Sequence, residues 1–171
     1  QMVTQEGGNT HVFSVKGNFD DAQKGVKDIF NDEPFKEELK EKNIRLSSAN
    51  SINIGRLVPQ VSYYVYGYLH LVKEGAVKSG EKVNVVVPTG NFGNILAAYY
   101  ASLMGIPVNM FICASNENKV LTDFLNTGSY DTRREFHVTN SPSMDILVSS
   151  NLERLLYLLS NEDGKTIRDL M

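Results

Sequence analysis

Only one of the 171 residues is cysteine, Cys113, and none is tryptophan. A lone cysteine closes no internal disulfide, so a stapled secreted domain is excluded and a reducing, cytoplasmic compartment is expected. An excess of basic charge is also missing. Seventeen Lys and Arg against twenty Asp and Glu leave a net charge of -3, without the basic stripe that a nucleic acid or an anionic membrane surface calls for. No apolar run is long enough to span a bilayer: residues 57–72 come nearest, and they contain Pro59, Gln60, Ser62 and His70. There is no signal-peptide pattern. The three histidines, His11, His70 and His137, stand apart, so no metal site is expected. Neither the triphosphate loop G-x-x-x-x-G-K-[ST] nor the dinucleotide loop G-x-G-x-x-G occurs. From Val83 to Asn118 there is no lysine or arginine at all. The chain opens on Gln1 rather than methionine, and is expected to be a piece of something longer.

What is present is an ordinary globular composition, with 42% apolar and 22% charged residues and enough length for a sizeable core. The patterning predicts a strand over 11–15, then helices over 20–30 and 32–42, the second charged, with Phe35 and Leu39 on one side. A polar stretch follows. A tyrosine-rich helix is expected over 54–74, with Pro59 in its first turn or at a kink. Tyr63, Tyr64, Tyr66 and Tyr68 read there as packing or subunit-contact residues. Residues 83–87 and 108–113 are short apolar strands of the buried parallel type. Between them lies a helix over 91–104, stopped by Gly105 and Pro107. A helix over 116–126, with Gly128 past its end, and a short strand over 136–139 follow. A long helix is predicted from Ser141, as N-cap, and Pro142, at the first helical position, to about residue 160. Strands alternating with helices imply βαβ units, hence an α/β fold: a mainly parallel sheet in a three-layer αβα arrangement, covered on both faces.

One tripeptide occurs twice at a strand-to-helix corner. "VFSVKGNFDDAQK" carries Asp20 and Asp21 after Gly-Asn-Phe, whereas "VVVPTGNFGNILA" carries Gly93 and Asn94. A helix start has unpaired N–H groups and partial positive charge. At the first corner two carboxylates can satisfy these internally, and they repel a phosphate. At the second there is no acid. Gly90 and Gly93 allow close backbone approach, and Asn91 and Asn94 offer neutral amides, which suits an anion at the carboxyl end of a parallel strand. A tight turn into a close-packed helix accounts for the same residues. Without a nearby cation, such a corner suits a single phosphomonoester better than a triphosphate. A second polar place is "SSANSINIGR": Arg56, three residues after Asn53, could fork onto a carboxylate or phosphate, or simply follow a capped helix start in a surface ion pair. Asn116 and Asn118, at the next corner, read as cleft-lining or capping residues.

Taken together, the segments "EGGNTHVFSVKGNFDDAQ", "SSANSINIGR", "VPTGNFGNILAAYYA", "GIPV", "NENKVLTDFL" and "SPSMDILVSSNLERLL" resemble threonine synthases, pyridoxal-phosphate enzymes of the tryptophan-synthase-β-like fold, in family order and over most of the chain. The resemblance implies conversion of O-phospho-L-homoserine and water to L-threonine and phosphate, within threonine biosynthesis. It implies that Gly90, Asn91, Phe92, Gly93 and Asn94 hold the coenzyme phosphate and that Ser51, Asn53 and Arg56 face the substrate. It also implies that residues 1–45 end the smaller coenzyme-fold domain and that residues 46–171 begin the larger one. Two departures stand out. Ile54 occupies a position often tryptophan in the family. The coenzyme lysine is missing, for "PFKEE" puts Lys36 on a solvated acidic helix rather than in a dry pocket. No catalytic residue is therefore expected in this chain; that lysine is expected upstream, and the segment alone is expected to be inactive. The alternatives are a non-catalytic α/β module binding a phosphorylated small molecule, or a threonine dehydratase or cysteine synthase relative. None of these readings calls for nucleic acid or membrane as a partner, and none sets an oligomeric state.

Overall fold

The computed structural model describes residues 2–50 and 53–170. The chain divides into two units, Gln1–Leu46 and Ser47–Met171.

In the first unit a 3-10 turn, Met2–Gln5, precedes an isolated antiparallel bridge between Gly7 and Thr10. Residues 11–15 are not a strand. A strand needs a neighbour for its N–H and C=O groups, and among the described residues none pairs with them; Phe13 is 85% exposed. Helix α1, Phe19–Asn31, begins in a capping box: the Asn18 side chain accepts from the Asp21 N–H, and the Asp21 carboxylate accepts from the Asn18 N–H. Helix α2, Glu33–Glu41, is capped by Asp32, whose carboxylate accepts from the Phe35 N–H. Its Lys36 pairs with Glu33 at 2.6 Å on the exposed side, in keeping with a solvated lysine.

In the second unit, helix α3, Ile54–Leu57, runs through a 3-10 turn, Val58–Gln60, into helix α4, Val61–Lys73. Pro59 sits in that turn, where its missing N–H interrupts the helical ladder. Strand β1, Val83–Pro88, helix α5, Gly93–Leu103, and strand β2, Val108–Ala114, form a β–α–β unit with a parallel sheet. Its register pairs Val85 with Phe111 and Val87 with Cys113. The side chains alternate as the pleat requires. Val85, Val87, Phe111 and Cys113 join the core, while Val86, Met110 and Ile112 are exposed.

Helix α5 is the centre of that core. Leu96, Ala97, Ala98 and Ala101 are fully buried, and the three alanines let neighbouring backbone come close. Tyr99 meets Phe111 edge-on at 6.1 Å, and Leu57, Val120, Leu121 and Leu152 close the cluster. Full burial of Leu96 contributes about 2 kcal/mol.

Helix α6, Val120–Thr127, ends at Gly128 in the left-handed region, as expected. It starts later than predicted because the side chains of Asn116 and Asn118 are turned to the segment 137–145. Residues 136–139 form no strand; the His137 N–H donates to the Asn118 side chain instead of to a ladder. The long helix over 141–160 is also corrected. A 3-10 turn, Pro142–Met144, is followed by irregular chain, then by helix α7, Leu152–Leu159, and helix α8, Gly164–Leu170. Ser141 makes no side-chain cap. The chain between turn and α7 is drawn out by the Asp145 carboxylate, which collects four donors, and by Ser149 and Asn151, which bond to the loop at 90–91.

Candidate functional site

The corner between β1 and α5 is built from the strand outward. The Thr89 N–H donates to the Ala114 carbonyl at 2.8 Å, so the parallel ladder extends one residue past β1. The Thr89 hydroxyl donates back to the Val87 carbonyl, also at 2.8 Å. Gly90 then passes against the chain at 143–146, where a Cβ would lie 2.8 Å from Cδ1 of the buried Ile146. Phe92, the residue before α5, has φ 64° and ψ -1°, a left-handed conformation unusual for a residue with a side chain. Its ring is buried in the core cluster, and burial of about 2 kcal/mol offsets backbone strain of roughly 1–3 kcal/mol.

No side chain caps α5. Its first-turn N–H groups, at Gly93, Asn94 and Ile95, come before the first helical bond, from the Leu96 N–H to the Phe92 carbonyl. The carbonyls of the loop point elsewhere. Gly90 O accepts from the Ser149 hydroxyl at 2.7 Å. Asn91 O accepts from both the backbone N–H and the side-chain amide of Asn151, at 3.0 and 2.9 Å. The result is a neutral, carbonyl-free helix start at the carboxyl end of a parallel strand, which suits an anion. At the other Gly-Asn-Phe corner the Asp21 carboxylate takes that space: a Cβ on Gly17 would lie 2.7 Å from its Oδ2. One corner is closed by its own acid and the other is open.

The asparagine side chains do not do what their sequence position suggests. Asn94 donates to the Gln60 side-chain Oε1 at 2.8 Å and accepts from the Tyr64 hydroxyl, so its amide ties α5 to α4 and the preceding turn. Asn91 accepts from Ser150 at 3.3 Å. The Asn94 amide is thus engaged at both ends within the protein.

The second place is the approach to α3. Ser51 lies outside the described residues. Asn53 caps α3, accepting from the Gly55 N–H at 2.9 Å and donating to the Ser48 carbonyl at 2.8 Å. Arg56 donates through Nη1 to the Ala49 carbonyl at 2.6 Å. Among the described residues no carboxylate pairs with it, which removes the expected surface ion pair. Asn116 and Asn118 both donate to Asp145, at 2.7 and 3.2 Å. Thr139 adds its N–H at 2.8 Å and its hydroxyl at 2.7 Å. These donors, led by the Thr139 N–H, hold the Asp145 carboxyl below the usual range against the opposing effect of burial. The two asparagines therefore anchor 137–145 rather than ending in a free amide.

Sequence reasoning missed Ser149, Asn151 and Asp145. The signal was there: Ser149, Ser150 and Asn151 in a row are weak helix formers that compete for backbone groups.

A parallel β–α–β unit with an uncapped glycine corner at the strand's carboxyl end defines an α/β protein built to hold an anion there. No family model matches the sequence, but individual proteins do. The chain is 53% identical over 172 residues to human threonine synthase-like 1, covering 99% of this chain and 23% of that protein. The crystal structure of PLP-bound threonine synthase from Brucella melitensis superposes with a TM-score of 0.73 at 44% identity, covering 91% of this chain and 31% of its own. Threonine synthase from Escherichia coli gives 0.79 at 36% identity, over 91% and 34%. In sequence and in fold the chain belongs to the threonine synthase family, and it spans about a quarter of the length of the curated relatives named "-like 1" that it matches.

Proposed function

We propose that this chain supplies the coenzyme-phosphate corner and part of the substrate side of a pyridoxal-phosphate-dependent threonine synthase, a lyase that converts O-phospho-L-homoserine and water to L-threonine and phosphate in the cytoplasm. The observation that carries the reading is the start of α5, uncapped by any side chain and with the carbonyls of Gly90 and Asn91 turned onto Ser149 and Asn151. It suits a phosphomonoester held by N–H groups and helix dipole alone, and the structurally similar threonine synthase from Brucella melitensis is PLP bound. In this reading Gly90, Asn91, Phe92, Gly93 and Asn94 form the cup. Residues 1–45 end the smaller domain and residues 46–171 open the larger.

Pyridoxal phosphate, when bound, supplies an electron-poor ring that stabilises a carbanion at the substrate. This chain's own residues bind and orient. The corner fixes the ring through its phosphate. The family resemblance assigns Ser51, Asn53 and Arg56 to the substrate, with the Arg56 guanidinium matched to the phosphate of phosphohomoserine. The lysine that carries the coenzyme belongs to another part of the complete protein.

The test is Gly93→Asp in the complete protein, which sets a carboxylate on the first residue of α5, as Asp20 stands at the start of α1. At ~4 Å and an effective dielectric near 20, each unit of repulsion between carboxylate and phosphate costs roughly 4 kcal/mol. The helix tolerates an acid at its start. The expected result is a folded protein without the coenzyme's visible absorbance. Full coenzyme occupancy in this variant would sink the reading.

A further inference from the structure

Residues 149–151, between the Pro142–Met144 turn and α7, bond to both loop carbonyls of the open corner. Asn151 is fully buried, and Ser149 is nearly so, at 7% exposure. Asn151 sends two donors, N–H and Nδ2, to the single oxygen of Asn91. Arginine is donor only, so the Arg154 Nη1 bond to Asn151 Oδ1 dictates which end of the amide is which: Oδ1 faces Arg154 and Nδ2 faces Asn91. Ser149 is fixed in turn. Its N–H donates to the Tyr130 hydroxyl at 2.7 Å, that hydroxyl donates to the Leu147 carbonyl at 3.1 Å, and the Tyr130 ring packs edge-on against Phe124 of α6 at 5.6 Å.

A trans peptide points its N–H opposite to its C=O. Holding Gly90 O toward Ser149 therefore turns the Asn91 N–H away from the 149–151 segment. Holding Asn91 O toward Asn151 does the same for the Phe92 N–H. Without those bonds the buried Gly90 carbonyl would lose its Ser149 donor and the Asn91 carbonyl both of its Asn151 donors, which favours a flip of either peptide. A flip would bring an oxygen to face an anion in place of a hydrogen.

We propose that Ser149 and Asn151 are positioning residues for the phosphate corner: they lock the Gly90–Asn91 and Asn91–Phe92 peptides in the one orientation that presents N–H groups to a phosphate, with Arg154 orienting Asn151. This rests on the reading of the corner as the coenzyme-phosphate site. The clamp is specific to the phosphate, because it acts on donors that only the phosphate uses.

The test compares pyridoxal phosphate with pyridoxal, which lacks the phosphate, by absorbance or fluorescence titration of the complete protein. Asn151→Asp keeps size and the backbone N–H but loses the Nδ2 donor. It should weaken pyridoxal phosphate by about 10-fold or more, and Ser149→Ala by about 5-fold, one net hydrogen bond. Pyridoxal affinity should be unchanged in both. Equal weakening of the two ligands, or an unchanged affinity for pyridoxal phosphate, would overturn the clamp. If Asn151→Asp does not fold, Ser149→Ala carries the comparison. Gly93→Asp in the same titration separates the two claims. If it too binds pyridoxal phosphate normally, the corner reading has failed. If it alone loses binding, only the clamp has.

Discussion

Arg56 is the third residue of the four-residue helix α3, with one guanidinium nitrogen committed to the Ala49 carbonyl and no acid beside it among the described residues. A guanidinium has five donors in a planar fork, so that single bond leaves capacity for a phosphate. In the complete protein Arg56→Ala should lower kcat/KM for phosphohomoserine by about 30- to 1000-fold, the worth of a charge-assisted bidentate contact of roughly 2–4 kcal/mol. Coenzyme affinity should barely move. Arg56→Lys should recover only part of the loss, since a point charge replaces the fork. Normal kinetics for the alanine variant would take Arg56 out of the site. Tyr64 and Tyr68 show the other fate of a polar residue. The Tyr64 hydroxyl serves Asn94, and burial pushes its acidity weaker. The Tyr68 hydroxyl accepts from the Gly80 N–H at 2.9 Å. Tyr63 and Tyr66, on the same helix, are exposed.

At the scale of elements, what joins β2, α6 and the 137–145 segment is one carboxylate. Asp145 is held below the usual carboxylate range by the Thr139 N–H, the Thr139 hydroxyl and two asparagine amides. Because its folded value is depressed, the stability it contributes is fully present above the unfolded carboxylate value, about 3.9. That contribution is lost as pH falls through the lower folded value. Asp145→Asn removes the charge and turns an amide toward donors. The variant should unfold at lower urea than the parent at pH 7, and the gap between their midpoints should narrow below about pH 4. A gap that stays constant from pH 7 to pH 3 would show that the charge is not what holds the segment. The two Gly-Asn-Phe corners make the companion point. The capping box at Asn18 and Asp21 could be read from spacing, because it closes within one turn. The break between Met144 and Leu152 could not, because Ser149 and Asn151 leave the helical pattern only for partners 59 and 60 residues away.

At the scale of the whole molecule, the sheet is the informative part. Its face with Val85, Val87, Phe111 and Cys113 lies under the core, and its other face shows Val86, Met110 and Ile112 to solvent. The human relative matched over 23% of its length has further chain that could cover such a face. Residues 1–171 made alone should therefore bind a hydrophobic dye, and Met110→Glu with Ile112→Glu should abolish most of that binding. In the complete protein the same pair should prevent folding, because each would bury an unpaired charge. A complete protein that accepts both would mean the face is never covered. The sequence by itself determined the α/β class, the parallel strands, read as 83–87 and 108–113, the helix between them and the contrast of an acidic with a neutral corner. These follow from periodicity, caps and glycine placement, all set by near neighbours in the chain. Tertiary structure alone decided that 11–15 and 136–139 are not strands, that Asn94 serves α4, and that the chain after Ser141 leaves helix to hold the corner's carbonyls. Each of those outcomes depends on a hydrogen-bond partner, gained or missing, that lies far away in the chain, and no local pattern encodes which distant group will meet it.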